Sequence, residues 1–104
     1  MFSVIIPAYN EERDIEKTLS NLPKNVEIIV VCNGCTDNTF KISKKYTKRV
    51  YSINQRSVSK ARNYGAKKAH YKNLIFLDAD TILTDETLND IKDISKKDYI
   101  GTCK

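Results

Sequence analysis

The sequence contains little glycine or proline and no long hydrophobic run. Glycine occupies three positions and proline two of the 104, which excludes a collagen-like chain and a disordered proline-rich one. No apolar stretch approaches the roughly 20 residues that a transmembrane helix requires. The N-terminus also lacks the basic stretch, apolar core and small-residue cleavage site of a signal peptide. We therefore expect one cytoplasmic domain over residues 1–104, with much regular secondary structure.

Cysteine is also scarce, and its number is odd. Three cysteines leave at least one thiol unpaired, and the cytoplasm is reducing. We therefore expect Cys32, Cys35 and Cys103 to be thiols and not a disulfide framework.

Positive charge is in excess, with 18 Lys and Arg against 13 Asp and Glu and a formal net charge of +5. Such a charge favours association with phosphates, anionic lipid headgroups or nucleic acid. A lysine-rich solvated surface accounts for it equally well. Charge alone therefore identifies no partner.

Short β-type segments alternate along the chain with amphipathic helical patterns. Strands are predicted at 2–7, 26–32, 49–54, 73–78 and 98–103, and helices at 10–22, 35–48, 57–71 and 84–95. This alternation predicts an α/β fold, a three-layer Rossmann-like arrangement in which helices flank a mostly parallel sheet. Ligands of such sheets bind at the carboxyl ends of the strands.

Local signals refine the helices. Asn10 is predicted to cap the first helix, Thr36 or Asp37 the second, and Thr84 the fourth. The third helix carries one stripe of small or short side chains, formed by Val58, Ala61, Gly65, Ala66 and Ala69. Because Gly65 lowers helix propensity, we expect it to serve close packing on the sheet.

Two aspartates follow the fourth apolar run, in the segment "NLIFLDADT". Side chains alternate along a strand, so Asp78 and Asp80 should point to one side and Ala79 to the other. Two neighbouring carboxylates repel unless a cation or proton lies between them. Beside a diphosphate, Mg²⁺ or Mn²⁺ is the cation expected to bind such a pair. In the alternative interpretation, Asp80 caps a turn before Thr81 and Asp78 is simply solvated.

Four segments, at 3–12, 30–39, 61–69 and 74–81, strengthen the metal interpretation. Together they resemble, in order and spacing, the nucleotide-binding half of family 2 glycosyltransferases with the GT-A fold. The resemblance covers about residues 2–83. It implies a GT-A-type sheet truncated after the Asp-x-Asp region, with a nucleoside-diphosphate sugar as ligand.

The resemblance also implies roles for individual residues. The loop expected to lie against the base and ribose comprises Pro7, Ala8, Tyr9 and Glu11. Arg62 and Asn63 match the family's Ala-Arg-Asn segment, where an arginine could reach the base or the diphosphate. Asp78 and Asp80 match the Asp-x-Asp motif, the first near the ribose and the second supporting the metal. The competing interpretations are turn-shaping for Pro7 and Tyr9, a surface ion pair for Arg62 and a plain polar helix position for Asn63.

The chain departs from the family pattern after the second strand. Cys32 stands where the family usually has an aspartate that recognises the base, and a thiol is a weak acceptor. Asn33 and Asp37 are the neighbouring candidates for that role. Cys32 and Cys35 also form a Cys-x-x-Cys motif, which favours an alternative: a thioredoxin-like redox or metal-binding module, with His70 and Cys103 as the remaining ligands. A basic nucleic-acid-binding module is a further alternative, although no recognition motif accompanies the charge.

The resemblance implies a general base and an acceptor pocket after the Asp-x-Asp motif. The acidic residues there are Asp85, Glu86, Asp90, Asp93 and Asp98, and none matches the family's base. We therefore expect donor binding without efficient transfer, as in a fragment, a split enzyme or a remnant with a new role. An uncovered sheet edge predicts self-association or a partner that supplies the acceptor half, and the basic surface would suit peripheral membrane association.

Overall fold

The computed structural model describes residues 2–80, in which strands and helices alternate. The strands are β1 (Ser3–Ala8), β2 (Glu27–Asn33), β3 (Val50–Ile53) and β4 (Leu74–Phe76), and the helices are α1 (Ile15–Ser20), α2 (Thr39–Ser43) and α3 (Val58–Lys68). No helix within 2–80 is long and apolar enough to cross a membrane. The predicted helix at 84–95 with its Thr84 cap and the predicted strand at 98–103 lie outside the described residues.

The strands form one parallel sheet in the order β3-β2-β1-β4. Ser3 of β1 lies opposite Glu27 of β2 and Leu74 of β4, and Val30 of β2 lies opposite Val50 of β3. The chain thus adds strands on one side of β1 and then crosses to its other side, so the topological switch lies between β1 and β4. The predicted α/β class and parallel sheet are confirmed.

Helices cover both faces of the sheet, because alternate residues of the central strands point in opposite directions. On one face, Val4 and Ile6 pack with Ile15 and Leu19 of α1. On the opposite face, Ile5, Ile29 and Val31 pack with Ala61 of α3. All six residues of β1 are buried. The three predicted layers are therefore present, and β1 is their centre.

Gly65 allows α3 to lie close to the sheet, as predicted. A Cβ atom at this position would lie 2.5 Å from Cγ2 of Ile5 and 3.3 Å from Cγ2 of Val31. Ala61, one turn earlier, is fully buried. Val58 does not belong to the stripe: its side chain is 48% exposed, and its predicted place on the packed face is wrong.

The helices are shorter than their sequence patterns. Asn10 does not cap α1, because the helix begins at Ile15 after Asp14 and Asn10 has a φ of +49°. A residue in this left-handed region cannot enter a helix. At α2, Asp37 accepts a hydrogen bond from the amide of the first helical residue, Thr39, at 2.9 Å. The N-cap residue of α2 is nevertheless Asn38 and neither Thr36 nor Asp37, so the predicted cap position is wrong, although Asp37 binds the first turn.

Candidate functional site

The loops after β1 and β2 are joined at the carboxyl edge of the sheet through Asn10. Its Oδ1 accepts hydrogen bonds from the amides of Thr36 at 2.8 Å and Asp37 at 3.3 Å. Its Nδ2 donates to Oγ1 of Thr36 at 3.2 Å. The positive φ of Asn10 turns its side chain across to the neighbouring loop, and asparagine tolerates this conformation better than most residues. Sequence reasoning missed this role, since its only local signal is the residue type.

Further hydrogen bonds fix the same two loops. The amide of Glu11 donates to Oγ1 of Thr39 at 2.8 Å, and the amide of Glu12 donates to Oδ2 of Asp37 at 3.2 Å. Burial opposes ionisation of Asp37, but the hydrogen bonds from the Thr39 hydroxyl and amide hold the pKa of this carboxyl below its usual value. The oxygens of Asp37 are therefore engaged in shaping the loops.

Asn33, the last residue of β2, binds the loop that follows β3 and precedes α3. Its side chain is 2% exposed, and its Oδ1 accepts a hydrogen bond from the amide of Ser57 at 2.5 Å. Gly34 follows with a φ of +75°, a conformation that favours glycine, and its amide donates to the carbonyl of Ile53 at 3.1 Å. The carboxyl ends of β1, β2 and β3 thus carry one connected set of loops.

Pro7 and Ala8 are the last two residues of β1 and are buried, so they are not part of the loop as the resemblance implied. Tyr9 is the first side chain beyond them that reaches the surface. The guanidinium carbon of Arg56 lies 4.0 Å from the centre of the Tyr9 ring, a cation–π distance. Sequence reasoning did not identify Arg56. Its partner lies 47 residues earlier in the chain, so no local pattern marks it.

Asp78 and Asp80 lie beyond the end of β4 and not on the strand as predicted, since β4 ends at Phe76. The alternation nevertheless continues past the strand: Leu77 and Ala79 are buried, whereas Asp78 and Asp80 are exposed. Burial of Leu77 and Ala79 in the core beside α1 accounts for this pattern. Both carboxylates therefore reach the surface at the carboxyl edge.

Helix α3 brings Arg62 to this edge. Its Nη2 lies 3.9 Å from Oδ1 of Asp78, and the two side chains are 46% and 68% exposed. Asn63 is the next residue of α3 and is also exposed. The ion pair predicted as an alternative for Arg62 is thus formed with an aspartate of the Asp-x-Asp motif. A pair this exposed is weak, so Arg62 can move to a negatively charged ligand at little cost.

Negative charge accumulates at the same edge. Burial raises the pKa of Glu11, and the charges of Asp80, Asp14, Asp37 and Asp78 raise it further. Carboxylate oxygens are the ligands that Mg²⁺ and Mn²⁺ prefer, so Asp78 and Asp80 fit such an ion in kind and in charge. Within residues 2–80, no group of three or more His, Cys, Asp and Glu side chains could hold a metal. A metal on these aspartates would therefore take its other ligands from water and a bound phosphate.

The thiols belong to the loop contacts. Burial, with smaller contributions from Cys35 and Asp37, raises the pKa of Cys32 well above its usual value, which disfavours a nucleophilic thiolate. The thiol of Cys35 donates to the carbonyl of Ala8 at 3.2 Å and accepts from the amide of Asn10 at 3.4 Å. His70 contacts Glu27 at the opposite edge of the sheet, and Cys103 lies outside the described residues. This geometry does not favour the redox and metal-module alternative.

The chain is similar to known proteins over most of its length. The family model "Glycosyl transferase family 2" matches residues 3–103. The chain is 34% identical over 101 residues to poly(ribitol-phosphate) β-N-acetylglucosaminyltransferase TarS of Staphylococcus aureus strain Mu50, covering 86% of this chain and 18% of TarS. It also spans less than two thirds of the length of each of the two solved structures described next.

Two solved structures with UDP share the fold. The structure of S. aureus TarS 1-349 in complex with UDP superposes with a TM-score of 0.73 at 30% identity, covering 92% of this chain and 32% of that one. Glucosyl-3-phosphoglycerate synthase from Mycobacterium tuberculosis, in complex with UDP, gives a TM-score of 0.70 at 26% identity, covering 79% and 34%. The predicted GT-A-type fold is thus confirmed. Since the family model covers nearly the whole sequence, the chain belongs to glycosyl transferase family 2.

Proposed function

We propose that this chain is the donor-binding part of a sugar transferase and holds a nucleoside-diphosphate sugar at the carboxyl edge of its sheet. The observation that carries the proposal is the convergence, at the switch between β1 and β4, of two exposed aspartates, Arg62 and the loop after β1. Ligands of open parallel sheets bind at such switch points. The UDP in the two similar structures supports a nucleotide as the ligand.

In this proposal the nucleoside lies at the carboxyl end of β1, where the strand ends with the buried Pro7 and Ala8 and the loop begins with Tyr9 and Glu11. Tyr9 offers an aromatic face for the base, and Arg56 lies over that ring. Arg62 and Asn63 of α3 face the diphosphate, where a planar guanidinium can bind two oxygens at once. Direct contacts of Asn33 and Asp37 with the nucleotide stay predictions. The hydrogen bonds that these two residues make support a role in holding the loops.

Asp80, with Asp78 beside it, would hold Mg²⁺ or Mn²⁺ between the protein and the diphosphate. Such an ion would neutralise charge on the diphosphate and so favour departure of the nucleoside diphosphate from the sugar. The chain itself contributes orientation and charge. Glu11 adds to the negative potential that attracts the cation. Burial is the first cause of its raised pKa, and the charges of Asp80, Asp14, Asp37 and Asp78 add to it.

Transfer to an acceptor also needs a base within hydrogen-bond reach of the acceptor hydroxyl. We propose that the acceptor site and this base belong to a further part of the enzyme or to a partner.

Calorimetric titration of the 104-residue chain with UDP, GDP and UDP-sugars, with and without Mn²⁺, tests the proposal. We expect binding of at least one nucleotide, strengthened by Mn²⁺, and we expect Asp80→Asn to remove that gain, about tenfold or more. Glu16→Gln is the matched control, since Glu16 is an exposed acid of α1 hydrogen-bonded to Tyr46. It should bind as the unmodified chain does.

The same titration separates the alternatives. Binding that survives thiol blocking excludes the redox and metal module. Binding of oligonucleotides with a steep salt dependence, together with no affinity for any nucleotide, would refute the proposal in favour of a nucleic-acid-binding module.

A further inference from the structure

Thr18 is the one buried polar side chain of helix α1 as the structure describes it. It is 2% exposed and lies on the helix face that also buries Ile15 and Leu19. Threonine is a poorer helix former than alanine or leucine, and a buried hydroxyl needs a hydrogen-bond partner. The acceptor of this hydroxyl therefore indicates what Thr18 does.

Two carbonyl oxygens lie within reach of the Thr18 hydroxyl. The carbonyl of Asp14, one turn earlier in the helix, is 3.3 Å away, and the carbonyl of Ala79 is 2.8 Å away. A hydroxyl has one proton to donate, and 2.8 Å is the usual distance for such a bond. The bond to Ala79 is therefore the better formed, and it joins residues 61 positions apart.

Ala79 stands between the two aspartates of the Asp-x-Asp motif. The sheet ladder holds the chain as far as Leu77, whose amide donates to the carbonyl of Ile5 at 3.0 Å. Two residues further on, beyond the end of β4, the Thr18 hydroxyl holds the carbonyl of Ala79. With Ala79 buried at 2% exposure, the flanking Asp78 and Asp80 side chains are left at the surface.

We propose that Thr18 is a positioning residue for the metal-binding carboxylates of Asp78 and Asp80. By holding the peptide between them, its hydroxyl fixes the direction in which both side chains leave the loop. This inference rests on the proposed function, because it assigns Thr18 to the metal that the two aspartates would share. Because Thr18 is buried, it would act on the metal only through the loop.

The test compares two substitutions that keep most of the side-chain volume. Thr18→Val removes the hydroxyl and keeps the branched shape, whereas Thr18→Ser keeps the hydroxyl and loses a methyl group. Ser43→Ala is the control, since Ser43 is a fully buried helical hydroxyl whose bond, to the carbonyl of Thr39 at 2.8 Å, lies within α2. UDP affinity is measured with and without Mn²⁺ below each variant's melting temperature, after circular dichroism confirms that it is folded.

The decisive readout is the manganese gain, which is the affinity for UDP with Mn²⁺ divided by the affinity without it. We expect Thr18→Val to reduce it about tenfold, the usual effect of removing a group that orients a metal ligand. Metal-free UDP binding should change by less than about twofold, because the nucleotide loops after β1 and β2 do not use this bond. Thr18→Ser and Ser43→Ala should keep the gain even where their melting temperatures fall.

Three outcomes overturn the inference, and the first two differ in what else they refute. If the unmodified chain shows a manganese gain and Thr18→Val keeps all of it, Thr18 has a packing role only, and the metal site stands. If the unmodified chain shows no gain, the proposed metal site and the positioning role are refuted together. A loss of gain in Thr18→Ser equal to that in Thr18→Val would also contradict a role for the hydroxyl.

Discussion

Glu27 is the residue at which the amino edge of the sheet is held together. Its Oε1 accepts hydrogen bonds from the hydroxyl of Ser3 at 2.7 Å and the amide of His70 at 2.8 Å. Its Oε2 lies 2.7 Å from Nδ1 of His70 and 3.2 Å from Nε of Arg49, where the second contact is an ion pair without hydrogen-bond alignment. Burial would raise the pKa of Glu27, but the bonds from His70 and Ser3 and the charges of His70 and Arg49 lower it.

We expect Glu27→Gln to lower the free energy of unfolding by about 1–3 kcal/mol at neutral pH, since the charged hydrogen bonds weaken. Because the pKa of Glu27 is lower in the folded state, its contribution is complete above the unfolded value of 4.5 and is lost as the pH falls through the folded value. The difference from the unmodified chain should therefore shrink in acid. Urea denaturation across this pH range measures it.

Glu16→Gln is the control for the Glu27 prediction. Glu16 is an exposed acid whose one hydrogen bond given by the structure is to Tyr46, and its loss should change stability by less than about 0.5 kcal/mol. If Glu27→Gln lowers the free energy of unfolding by the same amount from acid to neutral pH, the loss of stability comes from packing and not from the charge of Glu27.

Some of the site residues could be identified from the sequence because they belong to short motifs. Asp78, Asp80 and Arg62 could be singled out by the motifs that contain them, and the structure brings Arg62 close to Asp78; their contacts with a nucleotide or a metal stay predictions. Asn10, Thr18 and Arg56 could not be assigned in this way. Their partners lie 26, 61 and 47 positions away, and only the fold decides that these positions meet.

At the scale of elements, the fit of α3 against the sheet depends on Gly65. A methyl group there would lie 2.5 Å from Cγ2 of Ile5, which is completely buried and has little room to move. The same helix carries Arg62, so its distance from the sheet also sets where that guanidinium meets Asp78. Packing and site geometry are therefore coupled through this helix.

We expect Gly65→Ala to destabilise the fold by about 1–2 kcal/mol, because overpacking outweighs the gain in helix propensity of up to about 1 kcal/mol. Outward displacement of α3 should also weaken nucleotide binding. Ser59→Ala, at an exposed position of the same helix, gains propensity without a clash and should be neutral or slightly stabilising. Thermal unfolding measures both variants. Equal stabilisation by the two would show that the Ile5 side chain can move to make room for the added methyl group.

The predicted and observed limits of the strands and helices differ because a hydrophobic pattern follows burial and not secondary structure itself. The limits of the four described strands were predicted to within about two residues, because each apolar run coincides with a stretch of ladder. The three described helices were predicted too long at both ends. At the C-terminal end of α1 the reason is that core contacts continue beyond the last helical turn. Leu22 is an example: it is buried against the core although α1 ends at Ser20.

At the scale of the molecule, alternation of strands and helices predicts parallel strands but not their order. A right-handed crossover can place the fourth strand on either side of the first three. The observed position of β4 beside β1 follows from α3 packing on the face opposite α1. That position also brings the aspartates next to the loop after β1, which the sequence alone placed only through family resemblance.

The two edge strands of the described sheet differ in how well they are protected. Near β3, the cations of Arg49 and Lys68 lie over the ring of Tyr51, and charged side chains discourage edge pairing. On β4, the three residues Leu74–Phe76 are apolar and only half buried. Among residues 2–80, β4 is therefore the edge better suited to a partner.

We predict that the chain self-associates through this region at high concentration, because a half-buried apolar edge gains from being covered. Size-exclusion chromatography with light scattering should give a mass above the 11.9 kDa of one chain, rising with concentration. The increase in mass should persist in a reducing agent, which removes any disulfide through Cys103; of the described thiols, Cys32 is buried and Cys35 is bonded within the loops. A reductant-sensitive dimer would assign the contact to thiols, and an unchanging monomer would show that β4 has no tendency to pair.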